Sequence, residues 1–510
     1  MTTDRDALYT RLAALLPRRR FRFYHVSTPP LEVDALCSAP PGERPDRTFC
    51  EKHFLGITIH APSREQQQRP LNNDVLVLGI EIYIYTSAYE TTIFISKADS
   101  TGFLSLLDLP RGAPSPVREI SAAWIRHLVD SRRRQTIPLV VSLFARAQGQ
   151  YLFPGSVEHG GKHVLDDRGL VRWWCRVLDP LVADTNGTSD DAGRGYLLVP
   201  GLDKYETRAF LPSSPHRWRL GHPLQTLSHY SRDFDWVPPR CLIPHFPDDP
   251  KSRFQDELDD EALRSGAMKT TGSWKSVHTL DVFWEMMAFR QECSSGRLTG
   301  FIWVVFGLPD VPTPRPQTPA KIQSTATPQT TPRKLRPEKE SENMDDKEKK
   351  PFQANTETRR KKSRRKVLTG PIVTRQPRIK TQRRNRLLDR PETTKYYHWP
   401  VLGRGERIVD ESGYRRILEL LLHLDFATLD KAVGSTARWV GEASMSNPWG
   451  IEIIGTRDVA TEAADQEIPV NNLSGLIKRK RADKSEAQVG QARSTVNILD
   501  TGLVRKKSKA

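Results

Sequence analysis

Cysteine is scarce in this chain. There are five in 510 residues (Cys37, Cys50, Cys175, Cys241 and Cys293), odd in number and widely spaced. No CxxC and no Cys/His pair at ligand spacing occurs, which excludes a patterned zinc site and a disulfide framework and predicts reduced thiols and no metal. No apolar run approaches a membrane span. The opening MTTDRDALYTRLAALLPRRR has no apolar stretch of signal-peptide length, so an intracellular protein with no membrane partner is expected. Apolar residues are also few, at 37%, beside 38 prolines. Part of the chain therefore lacks the means to bury a core.

Charge is plentiful, and its placement decides its meaning. Of the net +17, residues 311–395 carry 24 Lys and Arg against 9 Asp and Glu, or +15, and residues 456–510 carry 11 against 7, or +4. The remainder sums to −2, so the body is not itself a basic surface for nucleic acid. From Pro309 to about Thr394 the sequence is Pro/Thr-rich, then cationic (RRKKSRRK at Arg359–Lys366), which predicts a disordered basic insertion at 310–394. KRKR at Lys478–Arg481 and RKK at Arg505–Lys507 suit nuclear import or nucleic-acid contact within a disordered tail, 456–510.

The rest reads as one α/β body over 1–455 with no internal repeat. Leu8, Leu12 and Leu15 predict a helix over Asp6–Leu16. Strands are expected at Phe54–Ile59, Val75–Tyr85 and Thr92–Ile95, the second with one buried face because Ile80, Ile82 and Ile84 alternate with Glu81, Tyr83 and Tyr85. A helix opens at Ser115, with Pro116 suited to its first turn. Val140–Phe144 and Phe301–Phe306 read as strands, and Trp274–Arg290 as a helix. Prolines 244, 247 and 250 argue against a regular element through Pro239–Leu258. Asp410–Lys431 reads as an amphipathic helix, with Glu411 and Arg415 paired, that must return to pack on the body.

One stretch concentrates chemistry: FARAQGQYLFPGSVEHGGKHVLDDRGLVRWW, Phe144–Trp174. It runs strand, glycine loop, helix, and carries Arg146, Lys162 and His163 beside adjacent indoles. Cations on a pliant backbone next to an aromatic wall suit a ligand with phosphates and an apolar arm. A core hairpin with an exposed basic loop is the other reading. In FPDDPKSRF, prolines stiffen a segment that could fix a carboxylate; a structural turn with a local ion pair is the alternative.

SKADSTGF, FARAQGQYLFPGS, KHVL, RWW and FPDDPKSRF together resemble the fungal histone acetyltransferase family known as regulator of Ty1 transposition, over roughly 1–308 and more faintly 396–455. That family is similar in fold to the CREB-binding-protein acetyltransferases. The resemblance implies a central mixed β-sheet with flanking helices, acetyl-CoA as donor, and lysines of histone H3, presented as H3–H4, as acceptors. It further implies two partner chaperones, one of the nucleosome-assembly-protein type and one of the anti-silencing type. The setting it implies is the nucleus, in chromatin assembly, DNA replication and the DNA damage response.

Carried over by matching positions, the resemblance implies acetyl-CoA contacts at Ala98, Asp99 and Ser100, at Ser115, Pro116, Val117 and Arg118, and at Phe144, Arg146 and Gln148. The set continues with His163, Val164, Leu165 and Trp173. It implies catalytic roles for Asp249, Trp174 and Asp99, and an autoacetylated Lys251. Two departures stand out. Gln148 replaces the family's alanine. The several dozen residues the family has between Val129 and Leu139 are here reduced to a loop at Ser131–Pro138, through a lost loop or a lost exon, which bears on activation rather than fold. Arg146 and Gly149 meet the arginine-x-x-glycine signature of the commoner acetyltransferases only in part, since Tyr151 stands where a small residue belongs. A second function class remains: a catalytically weak chromatin scaffold holding DNA or chaperones through its basic insertion. Weak DNA contact by insertion and tail is expected either way.

Overall fold

The computed structural model describes residues 5–62, 73–110, 112–182, 193–212, 217–270, 272–290, 293, 296–307, 387–444 and 448–458. All of them belong to one contact unit. In chain order the elements are α1 (Arg5–Leu15), β1 (Arg20–Ser27), β2 (Leu31–Val33), β3 (Thr48–His60), β4 (Asp74–Thr86), β5 (Thr91–Ser100), α2 (Pro116–Arg132), β6 (Leu139–Ala145), α3 (Asp167–Val182) and β7 (Arg194–Leu198). Then follow α4 (Lys204–Arg208), β8 (Trp218–Leu220), α5 (Leu224–Leu227), α6 (Tyr230–Asp233), α7 (Pro250–Ser265), α8 (Ala267–Thr270), α9 (Leu280–Ala288), β9 (Gly300–Phe306), β10 (Arg407–Ile408), α10 (Glu411–Leu422), α11 (Leu429–Ser444) and β11 (Ile451–Ile454).

The strands form one mixed sheet in the order β10-β1-β3-β4-β5-β6-β9-β7-β8, with β11 paired to β1 and β2 to β3. β5 and β6 run parallel, joined by α2 as a crossover, whereas β3, β4 and β5 are antiparallel neighbours. One core packs α1, α2, α3, α10 and α11 on the sheet. A second, rich in Phe254, Trp274, Phe283, Phe301 and Trp303, lies under α7 and α9. The expected central mixed sheet with flanking helices is what the chain forms.

Four expectations change. The alternation in β4 does not mark an exposed face: all of its residues are buried, because Tyr414 of α10 reaches over Glu81 on the face opposite the isoleucines. The single helix expected over Asp410–Lys431 is two. Phe426 leaves the helical path, is fully buried, packs on Phe153 at 4.9 Å and donates its backbone N–H to Pro154 O at 2.9 Å. The carboxylate of Glu411 pairs with Lys52 at 2.6 Å rather than along its own helix. Prolines do not bar structure after Pro239, since Pro250 sits in the first turn of α7, where its missing N–H costs nothing.

Residues 387–394, expected within the insertion, are placed on the body: Arg390 donates to Pro30 O at 2.6 Å and Glu392 O accepts from the Trp399 amide at 2.6 Å. The insertion proper, 308–386, and the tail from 459 lie outside the described residues. The short loop after α2 closes on itself. Arg134 donates to the carbonyls of Ser87, Glu90 and Tyr396 at 2.8–3.1 Å, so the loop is fastened to the turn between β4 and β5 and to the segment that follows the insertion.

A cleft at the ends of β5 and β6

Past their last paired residues, Phe94 and Ser142, β5 and β6 separate. A cleft of about 410 Å³ opens there, floored by Leu78 and Leu143 and walled by Tyr151 and α3. Of the residues expected at a donor site, it is lined by Ala98, Asp99, Ser100, Ser115, Val117, Phe144, Arg146, Gln148, His163, Val164, Leu165, Trp173 and Trp174. The chain thus brings together side chains spread over some 80 positions, because the parallel β5–α2–β6 crossover sets both strand ends at one edge. Pro116 and Arg118 do not line the cleft. Pro116 is buried at the start of α2, and Arg118 pairs with its neighbour Glu119 at 3.1 Å.

Asp99 does not face the cleft as a free carboxylate. It accepts from the backbone amides of Ser100, Tyr151, Leu152 and Phe153 at 2.7–3.3 Å and from Lys162 Nζ at 2.8 Å. Five donors occupy the lone pairs of this carboxylate and tie the glycine loop to the end of β5. Lys162 is withdrawn with it: Nζ also reaches Ser156 at 2.7 Å, and its side chain is 5% exposed. The loop's backbone closes tightly. A Cβ on Gly102 would meet the Lys162 backbone nitrogen at 2.5 Å, and that glycine has φ +86°.

Arg146 is the cation left for a ligand. Its Nε is buried and has no hydrogen-bond partner among the described residues, a costly state unless an anion answers it. Its backbone is fixed from both sides, since Tyr151 donates to its carbonyl and the next amide, Ala147 N, donates to Asp167 at 2.7 Å. Asp167 also binds Arg297 at 2.8 Å and the Leu298 amide at 3.1 Å. Burial alone would raise this carboxyl, yet those donors hold it below the usual range. Asp167, Tyr151 and Arg297 were missed in the sequence. Nothing in the sequence marks the reach of Asp167 back to the loop, because its partners Ala147 and Arg297 lie 20 and 130 residues away.

The far wall is apolar and open. Val164 is 48% and Leu165 40% exposed. The two indoles meet edge to face at 4.8 Å. Trp174 belongs to the core, and half-buried Trp173 offers the cleft its surface, as the ~100° turn between helix neighbours requires.

Asp249 lies elsewhere. Its side chain is 1% exposed and caps α7, accepting from the Lys251 amide at 3.0 Å, while Lys251 Nζ bonds its other oxygen. Lys251 Nζ sits 4.7 Å from the Phe246 ring centroid, and Phe246 stacks on Phe94 at 4.2 Å, so aromatic rings separate this pair from the cleft. Burial raises the carboxyl of Asp249, though Lys251 opposes it, and burial lowers the amine of Lys251, though Asp249 opposes it. The neighbour Asp248 is the exposed one. It holds φ +60° and pairs with Lys97 of the cleft at 3.3 Å.

Comparison with known proteins bears on family and fold. The histone acetyltransferase KAT11-type domain matches residues 8–138 and 134–442. Histone acetyltransferase rtt109 of Aspergillus flavus is 35% identical over 578 aligned residues, covering 98% of each chain. Its namesake in Schizosaccharomyces pombe is 36% identical over 240 residues, 45% of this chain and 56% of the relative. The crystal structure of Rtt109 from Aspergillus fumigatus superimposes with a TM-score of 0.64 at 35% identity, covering 88% of this chain and 99% of that one.

Proposed function

This chain belongs to the KAT11-type histone acetyltransferases of the fungal Rtt109 kind, and on that footing we propose that it moves acetyl from acetyl-CoA, held in the cleft at the ends of β5 and β6, to lysines of histone H3. The observation that carries the reading is the buried Arg146 Nε, without a hydrogen-bond partner among the described residues, beside the open apolar wall of Val164, Leu165 and Trp173. An anionic diphosphate answers the guanidinium, and a pantetheine arm lies along the wall. Ala98, Ser100, Ser115, Val117, Phe144, Gln148 and His163 complete the donor site in this proposal.

The transfer itself is a nucleophilic displacement. The lysine nitrogen attacks the thioester carbon, its new C–N bond replaces the C–S bond, and the coenzyme leaves as a thiol that takes up the amine's proton. A free lysine is only about one part in 10³ neutral at pH 7, so the site must lower the barrier to losing that proton. Asp99 and Asp249 serve as positioning groups in this scheme, the first for the loop and the second for α7. Trp174 backs Trp173 against the acceptor's stem. Lys251 is proposed as the self-acetylated residue, because acetylation removes a charge that burial disfavours.

The acceptor is proposed to be H3–H4 delivered by the two chaperone types named above, within the nucleus and in support of chromatin assembly and repair. The test is acetyl-CoA titration of the full chain, followed by mass spectrometry of H3–H4 incubated with and without each chaperone. Absence of acetyl on H3 under every combination, with acetyl-CoA bound, would favour a scaffold.

A further inference from the structure

Lys97 is the other cation of the cleft, and its surroundings are unlike those of Arg146. It stands in β5 where the register with β4 slips, Glu81 pairing with Lys97 and Ile82 with Ile95. The slip turns its side chain toward a second cavity of about 230 Å³, between β4, Tyr151 and α10, which shares Lys97 and Tyr151 with the cleft. Lys97 Nζ lies 3.5 Å from Glu81 Oε2 and 3.3 Å from Asp248 Oδ2. The Glu81 carboxylate is 4% exposed and also accepts from the hydroxyls of Tyr83 at 3.0 Å, Tyr414 at 3.3 Å and Ser96 at 3.3 Å. On the cavity's rim Lys52 and Glu411 satisfy each other, and Arg415 and Glu419 stand opposite in sign.

The arrangement suits one ammonium ion: two carboxylates meet at the Lys97 nitrogen, hydroxyls lie behind Glu81, and Leu152, Leu418 and Leu422 line the adjoining cavity, where an aliphatic stem would fit. A lysine acceptor reaches the enzyme as an ammonium on an aliphatic stem. It approaches a donor cleft whose adjoining carboxylates already hold an ammonium from the chain itself. The Lys97 side chain is 31% exposed, which leaves it room to swing away from them.

We propose that Lys97 is an internal competitor: its ammonium occupies the place between Glu81 and Asp248 where the acceptor lysine docks, and substrate binding proceeds by displacing it. The inference rests on the acetyltransferase reading and adds a residue that sets acceptor affinity. Asp248 supports it from the other side. A non-glycine residue held at φ +60° persists only where its surroundings fix it, and the contact it makes there is with Lys97.

The experiment is steady-state kinetics of the full chain with saturating acetyl-CoA and varied H3–H4. Lys97→Met keeps the stem and removes the charge. It is expected to lower the acceptor KM about fivefold, the scale of one partly screened ion pair, whereas Lys97→Arg keeps the wild-type value. Adding Glu81→Gln to Lys97→Met should return KM toward wild type, because the vacated carboxylate is then gone. Lys97→Gln repeats the test with a polar neutral stem should the methionine variant fold poorly. An acceptor KM unchanged or raised in both neutral variants overturns the inference and makes Lys97 a strut between β5 and the turn before α7. Wild-type protein without any histone acetylation would instead sink the proposed function.

Discussion

At the scale of single residues the cleft separates groups that bind from groups that hold. Arg146 should bind: Arg146→Ala is expected to raise the acetyl-CoA KM by about one to two decades, the effect of losing one charged hydrogen bond, and to leave the histone KM unchanged. A histone-only effect in the same kinetic series would move Arg146 to the acceptor side. Asp249 holds. The motif FPDDPK suggests a carboxylate for turnover, with the fold indifferent to its loss; the structure makes it a helix cap and the counter-ion of a lysine 2% exposed on its side chain. Asp249→Asn preserves the cap but leaves Lys251 uncompensated, at a cost of about 3–5 kcal/mol, so its melting temperature should fall clearly. Lys251→Gln removes the charge that needs a partner and should melt above Asp249→Asn. Equal melting of wild type and Asp249→Asn would show that the pair is not a buried ion pair. The sequence told which residues gather at the cleft because strand ends, glycines and tryptophans are local signals. It did not tell which carboxylates are free, since four of the five donors that occupy Asp99 come from positions 52 to 63 residues away.

Among elements, the join most exposed to pH is the one that fastens α2 to β3 and to the segment after the insertion. Arg132, at the end of α2, binds Glu51 of β3 at 2.6 and 2.9 Å and the carbonyl of Gly403 at 3.1 Å, with no side-chain exposure. Glu51 also accepts from His53 at 3.2 Å, and His53 in turn accepts from His25 at 2.9 Å. Burial works against the Glu51 anion, but Arg132 and His53 more than offset it and bring the carboxyl to about 2 from its ordinary 4.5. Burial also lowers His53 below its ordinary 6.5. Both depressed values act with one sign. The stability they supply is complete above 6.5 and 4.5 respectively, and is lost as pH falls, first through His53 and then through Glu51 between 4.5 and about 2. For Glu51 the loss is on the order of 3 kcal/mol. Thermal melts at stepped pH should show it, and Glu51→Gln should flatten the lower part of that curve; an unaltered acid limb would refute the assignment. Helices and strands with strong periodicity were legible, among them α1, α2, β4 and β9. β1 was not, because RFRFYHVS alternates arginine with aromatics and its burial comes only from distant partners, β3, β10 and β11. The break between α10 and α11 was hidden for a like reason: Phe426 fits a helix pattern, and only the Phe153 pocket draws it out.

For the whole molecule, the segments on either side of residues 308–386 build one sheet. A chain with 311–386 replaced by a flexible linker is therefore expected to bind acetyl-CoA as the full chain does, by titration calorimetry. Extending the deletion through Trp399 removes a fully buried indole, the Arg390 and Glu392 contacts and the ring on which the Arg404 guanidinium stacks, 3.7 Å from its centroid, and should lower the melting temperature. Loss of binding in the shorter deletion would show that the insertion belongs to the fold. β1 extends the same point into time. Among the described residues its outer edge is paired by β10 and β11, and Arg22 meets Glu452 across 430 residues of sequence. At ribosomal rates of about 5–20 residues per second, β1 waits roughly 20–90 s after its own synthesis before those partners emerge. Throughout that interval the nascent chain carries an open strand edge, the feature most prone to pair with a neighbour on the same polysome. A message truncated before codon 387 never closes it, so the product should accumulate as aggregate or depend on a holding chaperone, while the complete chain needs such help only in transit.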